Sequence, residues 1–525
     1  MRRDRVPGGP RAAVSAGSQI AATVAMEVLR EGGTAIDAAI AGSAAQCVVE
    51  MPWCGVGGDA FVLARTPDGE VVGFNGSGAA PRAVLDAAAG MIKVPRFGPV
   101  SVAVPAIVDA WSCLHERFST AAFADLLEPA RRLAGDGFAL DQRLAGSLAH
   151  VATLEGGDQL APIVAGRDLD RGARFTQPDL AETIGAIAAD GRDGFYRSVI
   201  AKQIVDHVND RGGALGLDDL AAHRGEWVSP LSVPYRGATV HSNGLVSTGV
   251  LVLVALRVLE QLWPGGVPAD EVTVTDTLVR LKALLFGTVS PTLGDPRHVD
   301  VPDVLTDGTV ERLVAALAAG RPPASSIDAP AAADTTSLAV VAPDGSAACI
   351  IHSLFNEFGS RELVPDTGIV LNDRLANLVV GDPAGRPAAN ALVPGRRPMH
   401  TLHGYVVEWA DGGFALGATP GGRGQVQTNL QVLTGLIDRG EPVGRAVAAP
   451  RWVHGMPRAS ADDDALYLEE GLAPLAGRLS ELGHVVEVVD AGGSDRFGNC
   501  TVVAERGGVL EAAADHRRGG EALLW

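Results

Sequence analysis

Strand-like runs stand in two widely separated blocks of this 525-residue chain, and that separation constrains its fold more than any other feature. AFVLAR and VVGFNG lie near the start, whereas SLAVVA, AACIIHSL, GYVVEWA and FALGAT all lie beyond residue 336. Each alternates or forms a short apolar run flanked by Gly, Asp or Pro, which predicts strands. Helical spacing fills much of residues 105–290, including VDAWSCLHERF and DLAETIGAIAADG. It also marks residues 15–31 and 34–47, with Gly32-Gly33 as the break between them. The pattern predicts a mixed α and β fold, with a two-sheet core covered by helices. GLVSTGVLVLVALRVLEQL is the most apolar segment, but Arg257 and Glu260 interrupt it short of membrane-spanning length, and it reads as a buried helix.

Composition narrows the class. With 47% hydrophobic residues the chain can bury a large core, and its formal charge of −19 argues against nucleic acid or an anionic membrane as partner. An anionic substrate would need a local positive pocket. The five cysteines, Cys47, Cys54, Cys113, Cys349 and Cys500, are scattered without metal-type spacing, so no metal or cofactor site is expected. An odd, scattered set suggests reduced thiols in a cytoplasmic protein, with Cys349 a small core residue. MRRDRVPGGPRAAVSAGSQ has basic residues but no apolar stretch of signal-peptide length, which also favours the cytoplasm.

The chemistry gathers around Thr335 and Thr336. They follow RPPASSIDAPAAAD, a Pro- and Ala-rich stretch over residues 321–334 that reads as an exposed linker, and they open the SLAVVA strand. Cutting the bond between Asp334 and Thr335 would make Thr335 an N-terminus, its hydroxyl within reach of its own α-amine. Such an amine titrates near pH ~8 and can serve as general base to the hydroxyl. The alternative is an ordinary Thr-Thr at a strand start.

Five strings in order over most of the chain decide between these. REGGTAIDAAIAGSAAQCVVEMPWCGVGGDAFVL, TTSLAVVAPDGSA, FGSRELVPDTGIVLND, PGRRPMHT with GATPGGRGQ, and the tail from LGHVVEVVDAGG to AAADHRRGGEA resemble the γ-glutamyltransferase family of N-terminal-nucleophile hydrolases. The resemblance implies an α+β fold, a four-layer αββα sandwich. It implies a chain that cuts itself between Asp334 and Thr335 into a large segment, 1–334, and a small one, 335–525, which stay together as a heterodimer; further dimerisation is left open. It places Thr335 on the nucleophile, Gly421 and Gly422 on the pair of amides that hold the oxyanion, and Ser353 on a supporting hydroxyl. No cofactor is implied.

The substrate pocket departs from the family pattern. The family's carboxylate-binding arginine corresponds to Asp86, leaving Arg82 and Arg96 as substitutes, of which Arg96 is preferred. Asn377 stands where the family has an aspartate that grips the substrate ammonium, and His400 and Thr401 replace its paired serines. His400 either binds a carboxylate when protonated or simply packs. The family's asparagine near Ser353 is Phe355 here, with Asn356 or Glu357 nearby. PMHTLHG and PRFGPVSVAVP are more similar to the oxamate amidohydrolase and acylase subset than to glutathione-cleaving members. The expectation is an amidohydrolase or acyltransferase acting on a small-molecule amide, γ-glutamyl or otherwise. The alternatives are a biosynthetic enzyme cleaving a different bond with the same threonine, or a relative that folds without processing.

Overall fold

The computed structural model describes residues 9, 11–320, 334–380, 388–455, 464–490 and 495–525, so linker residues 321–333 fall outside it. The strand opened by the two threonines, Asp334–Val341, pairs antiparallel with Ala13–Ala16 on one side and Ala347–Phe355 on the other. The first sheet runs Glu521–Leu524, Ala13–Ala16, Asp334–Val341, Ala347–Phe355, Asp59–Arg65, Val71–Gly76, Glu226–Val228. Both strand blocks therefore meet in one sheet, as their separation requires. The second sheet runs Val509–Ala514, Thr501–Arg506, Phe414–Ala418, Gly404–Trp409, Ala238–Ser242, Leu231–Tyr235.

Alternation along the strands sets the layers, because successive side chains leave a strand on opposite faces. Leu338, Val340, Ile350 and Val62 pack with the helices Gln19–Arg30 and Ala35–Val49. Ala339, Val341, Ile351 and Phe61 instead join the core shared with Tyr405, Val407 and Leu416 of the second sheet. Helices Gly249–Leu262, Glu271–Leu284 and Gly424–Ile437 close the far side. This is the four-layer αββα sandwich of the expected α+β class. Gly249–Leu262 has ten of its residues buried, as its apolar sequence predicts.

Two expectations need correction. Helical spacing is read over residues 15–31, yet Ala13–Ala16 is a strand and the helix begins at Gln19. The four strand residues are all buried between two pairing partners, and that pairing overrides the alanine-rich local preference for helix. The 105–290 region also contains the hairpin Leu231–Tyr235 and Ala238–Ser242. Its signals are readable in hindsight: alternating Leu231, Val233 and Tyr235, then a tight turn at Arg236 and Gly237, both at positive φ.

Gly17 links strand to helix at a point with no room for a side chain. A Cβ there would lie 2.5 Å from Thr336 Oγ1 and 3.0 Å from Glu50 Oε1. Gly17→Ala is expected to cost about 1–3 kcal/mol of stability through overpacking, measured by urea denaturation beside the parent protein.

Candidate active site

Thr335 and Thr336 are adjacent, so they face opposite sides of the first sheet. Both are buried. Opposite them the partner strand carries a bulge: His352 pairs with Thr336 and Phe355 with Asp334, so Ser353 and Leu354 together oppose Thr335. Phe355 takes a positive φ of 89°, and its amide donates to Ser353 Oγ at 2.7 Å. The bulge spreads the pairing opposite the candidate nucleophile. Thr335 Oγ1 has no hydrogen-bond partner among the described residues, although a buried hydroxyl ordinarily finds one.

Thr336 is anchored on the helix side. Its hydroxyl donates to Glu50 Oε2 at 2.9 Å and accepts from Gln46 Nε2 at 2.8 Å. Gln46 Nε2 also donates to Glu50 Oε2 and to the Ser337 carbonyl, which leaves Gln46 Oε1 to accept from His352 Nε2 at 2.9 Å. Burial pushes the Glu50 carboxyl up to about 7, partly opposed by the Arg143 charge and the bonds from Thr336 and Gln46. Burial alone pushes His352 down to about 3, so it is neutral.

The inter-sheet side holds a second group. Asp59, the register partner of Ser353, takes a two-pronged ion pair from Arg374, Nε at 2.9 Å and Nη2 at 2.8 Å, both residues buried. His400 Nε2 lies 3.7 Å from Asp59 Oδ2, and the ring stands 5.0 Å from that of Phe61. Burial, then the Arg374 and Arg397 charges, hold His400 well below the ordinary histidine range. The neutral ring is therefore favoured, which supports packing over the protonated, carboxylate-binding reading of His400. Thr401 Oγ1, beside it, is buried without a partner.

The remaining predicted residues divide. Arg96 is exposed but reaches Asn356 Oδ1 at 2.9 Å, and Asn356 in turn donates from its backbone and side chain to Asp373. Burial raises Asp373 to about 6 against those bonds. Glu357 turns away, to Ser147 and His150. Arg82 pairs at the surface with Asp219 and Asp218, and Asp86 is exposed in the short helix Val84–Ala87. Asn377 donates to the Met399 carbonyl at 2.8 Å, tying its loop to the segment that carries His400 and Thr401.

Gly421 and Gly422 sit just after the strand Phe414–Ala418 and just before the helix Gly424–Ile437. Their φ values of 130° and 55° lie in the region that favours glycine. The sheets meet at this end: Ser337 Oγ lies 2.8 Å from Thr501 Oγ1, and Thr501 pairs with Ala418. The turn and Thr335 thus lie at the same edge of the sandwich, each within a few residues of that contact.

Sequence reasoning passed over Glu50, Gln46, His352, Asp59 and Arg374. Charged or amide residues inside apolar runs, as in AAQCVVEM and GGDAFV, were the available signal. It also expected cysteines without ligand-like grouping. Cys47, Cys54 and His352 instead bring three donor atoms within 4.8 Å of one another, in a cluster that spacing hides because His352 lies far along the chain. Cys54 Sγ there donates to the Gln46 and Glu50 carbonyls. All five cysteines are free thiols, and burial pushes Cys349 up to about 12. Among the described residues no helix is long and apolar enough to cross a membrane.

The sandwich, with a threonine opening a central strand at its edge, has the N-terminal-nucleophile hydrolase fold. Comparison with known proteins agrees with that class. The chain matches the family described as Gamma-glutamyltranspeptidase over residues 21–525 and belongs to it. It is 34% identical to the oxamate amidohydrolase proenzyme of Klebsiella pneumoniae, covering 96% of each chain. It is 31% identical to the glutathione hydrolase-like YwrD proenzyme of Bacillus subtilis, again over 96% of each. Among solved structures it is similar to a cephalosporin acylase from Bacillus halodurans, with TM-score 0.87 and 28% identity over 100% of this chain and 97% of that one. The Klebsiella and Bacillus subtilis relatives are named as proenzymes, which implies a self-cleaved chain.

Glu50 gives the site a pH signature. Its folded value lies above the ordinary 4.5, so between about 4.5 and about 7 the folded state holds a proton that the unfolded chain has released. Stability from this group falls as pH rises through that window, by on the order of 3 kcal/mol. Urea unfolding at about pH 5 and about pH 7.5 is expected to show a smaller loss across the window for Glu50→Gln than for the parent.

Proposed function

We propose that the chain is a self-activating amidohydrolase with Thr335 as its nucleophile. The carrying observation is the buried Thr335 hydroxyl, without a partner, facing a bulge in the neighbouring strand. In the first reaction Thr335 Oγ1 attacks the Asp334 carbonyl, and the amide becomes an ester that water hydrolyses. Residues 1–334 and 335–525 then remain as the two subunits of one folded unit. The freed α-amine, with a pKa near ~8, takes the hydroxyl proton as Thr335 attacks a substrate carbonyl. The tetrahedral intermediate's oxyanion is held by the backbone amides of Gly421 and Gly422. Collapse expels the amine and leaves an acyl-threonine, which water or an acceptor amine resolves.

Ser353 supports the nucleophile from the bulge, its Oγ fixed by the Phe355 amide. Arg96, Asn377 and Thr401 border the acyl-donor side, with neutral His400 packing among them. Relatives named as an oxamate amidohydrolase and as acylases support a small acid amide as donor. The five free thiols support a reducing, cytoplasmic setting.

Intact mass spectrometry of the purified protein is expected to find two fragments, one ending at Asp334 and the other beginning at Thr335. Thr335→Ala is expected to stay one folded chain and to lose amidase activity by on the order of 10⁴-fold or more. Clean splitting of that variant would refute the assignment. Glutathione is expected to be a poor substrate, with kcat/KM below ~10⁴ M⁻¹s⁻¹, because Asp86 and Asn377 replace the charges that grip a glutamyl group. Steady-state assay of the processed enzyme measures this.

A further inference from the structure

A group of buried polar atoms without partners lies on the inter-sheet side of Thr335. Arg374 is fully buried, and Asp59 occupies its Nε and Nη2. Its Nη1 has no partner among the described residues. Neither ring nitrogen of His400 has one, and nor does Thr401 Oγ1. A buried guanidinium arm left unbonded is costly, since its desolvation is uncompensated. The nearest anion, Asp59, is already engaged through both carboxylate oxygens, and His400 stands beyond hydrogen-bond distance from it at 3.7 Å. Neutral His400 supplies one acceptor nitrogen, but Arg374 Nη1, the His400 N–H and the Thr401 hydroxyl are donors without acceptors, which an anion with two oxygens would provide. A planar guanidinium matches a carboxylate in that role.

Position fixes which part of a substrate this would be. The Arg374 guanidinium stands 4.7 Å from the centre of the Phe355 ring, and Phe355 is the register partner of Asp334, the residue next to Thr335. Asp59, which anchors Arg374, is the register partner of Ser353 in the bulge facing Thr335. Arg374 is thus anchored to the two strand residues, Ser353 through Asp59 and Phe355 directly, that flank the bulge opposite Thr335.

We propose that Arg374 is the anion subsite of the acyl-donor pocket, and that the donor is a short dicarboxylic acid in mono-amide form. Its free carboxylate sits on Arg374 and Thr401, and its amide carbonyl lies at Thr335. This rests on the reading of Thr335 as nucleophile. Asp59 is a positioning residue: it holds the guanidinium flat and leaves Nη1 for the substrate.

The test compares p-nitroanilides of succinic and glutaric half-acids with their methyl esters, using the self-cleaved enzyme. Wild type is expected to prefer acid over ester by roughly 10- to 100-fold in kcat/KM, the worth of one charge-assisted pair. The double variant Arg374→Gln/Asp59→Asn removes both charges, so no lone ion is buried. Whatever its absolute rate, its ratio of acid to ester kcat/KM is expected to fall to within about threefold of unity. Arg374→Lys, which keeps the Asp59 partner but loses the planar fork, is expected to lower the preference several-fold. Equal turnover of acid and ester by wild type overturns the proposal, as does an acid preference surviving in the double variant. Should the double variant fail to self-cleave, Arg374→Lys decides alone, and a preference unchanged from wild type overturns the proposal. A wild-type chain that stays whole and cleaves no amide instead overturns the Thr335 reading, and the subsite with it.

Discussion

An extended strand must send consecutive side chains to opposite faces, and the Thr335–Thr336 pair depends on that constraint. One threonine is held by Gln46 and Glu50 on the helix side, which fixes where the other stands. Thr335 then emerges between the sheets, opposite a bulge and near the glycine turn at Gly421 and Gly422. A side chain on a loop could not be placed so closely. Here a hydrogen-bonded neighbour and two flanking strands fix the backbone, so the hydroxyl is oriented without a hydrogen bond of its own.

Buried charge is distributed around this arrangement unevenly. Behind the strand, Glu50 and neutral His352 are tied to Thr336 and Gln46 by hydrogen bonds, with the Arg143 charge acting on Glu50. In front of it, Arg374, His400 and Thr401 leave polar atoms unpaired. A hydrogen-bonded network makes a rigid support, whereas unpaired buried polar atoms keep the capacity for a further partner. The protein's strongly acidic composition does not extend to this spot, where arginines supply the local field.

Much of this was readable from residues alone, and the reasons are physical. The strands Asp59–Arg65, Val71–Gly76, Ala347–Phe355 and Phe414–Ala418 show as short apolar runs, and helix Ile107–Phe118 shows its period. Thr335 and the glycine pair were picked out by the family resemblance; locally they show only as two threonines after a linker and two glycines between a strand and a helix. The bulge at Ser353 and Leu354 was not visible, because it follows from pairing across strands. Strand Ala13–Ala16 was missed because alanine favours helix unless neighbours impose otherwise. Arg374 reads as an ordinary charge in LNDRLANL; only its burial against Asp59, more than 300 residues earlier in the chain, gives it meaning.

The order of strands in the first sheet has a mechanical consequence. Ala13–Ala16 lies between Asp334–Val341 and Glu521–Leu524, so a strand from before residue 334 is gripped on both edges by strands from after it. Scission at Asp334 would leave this clasp shut. The two polypeptides could part only by unzipping both ladders together, so subunit exchange between molecules would be as slow as global unfolding.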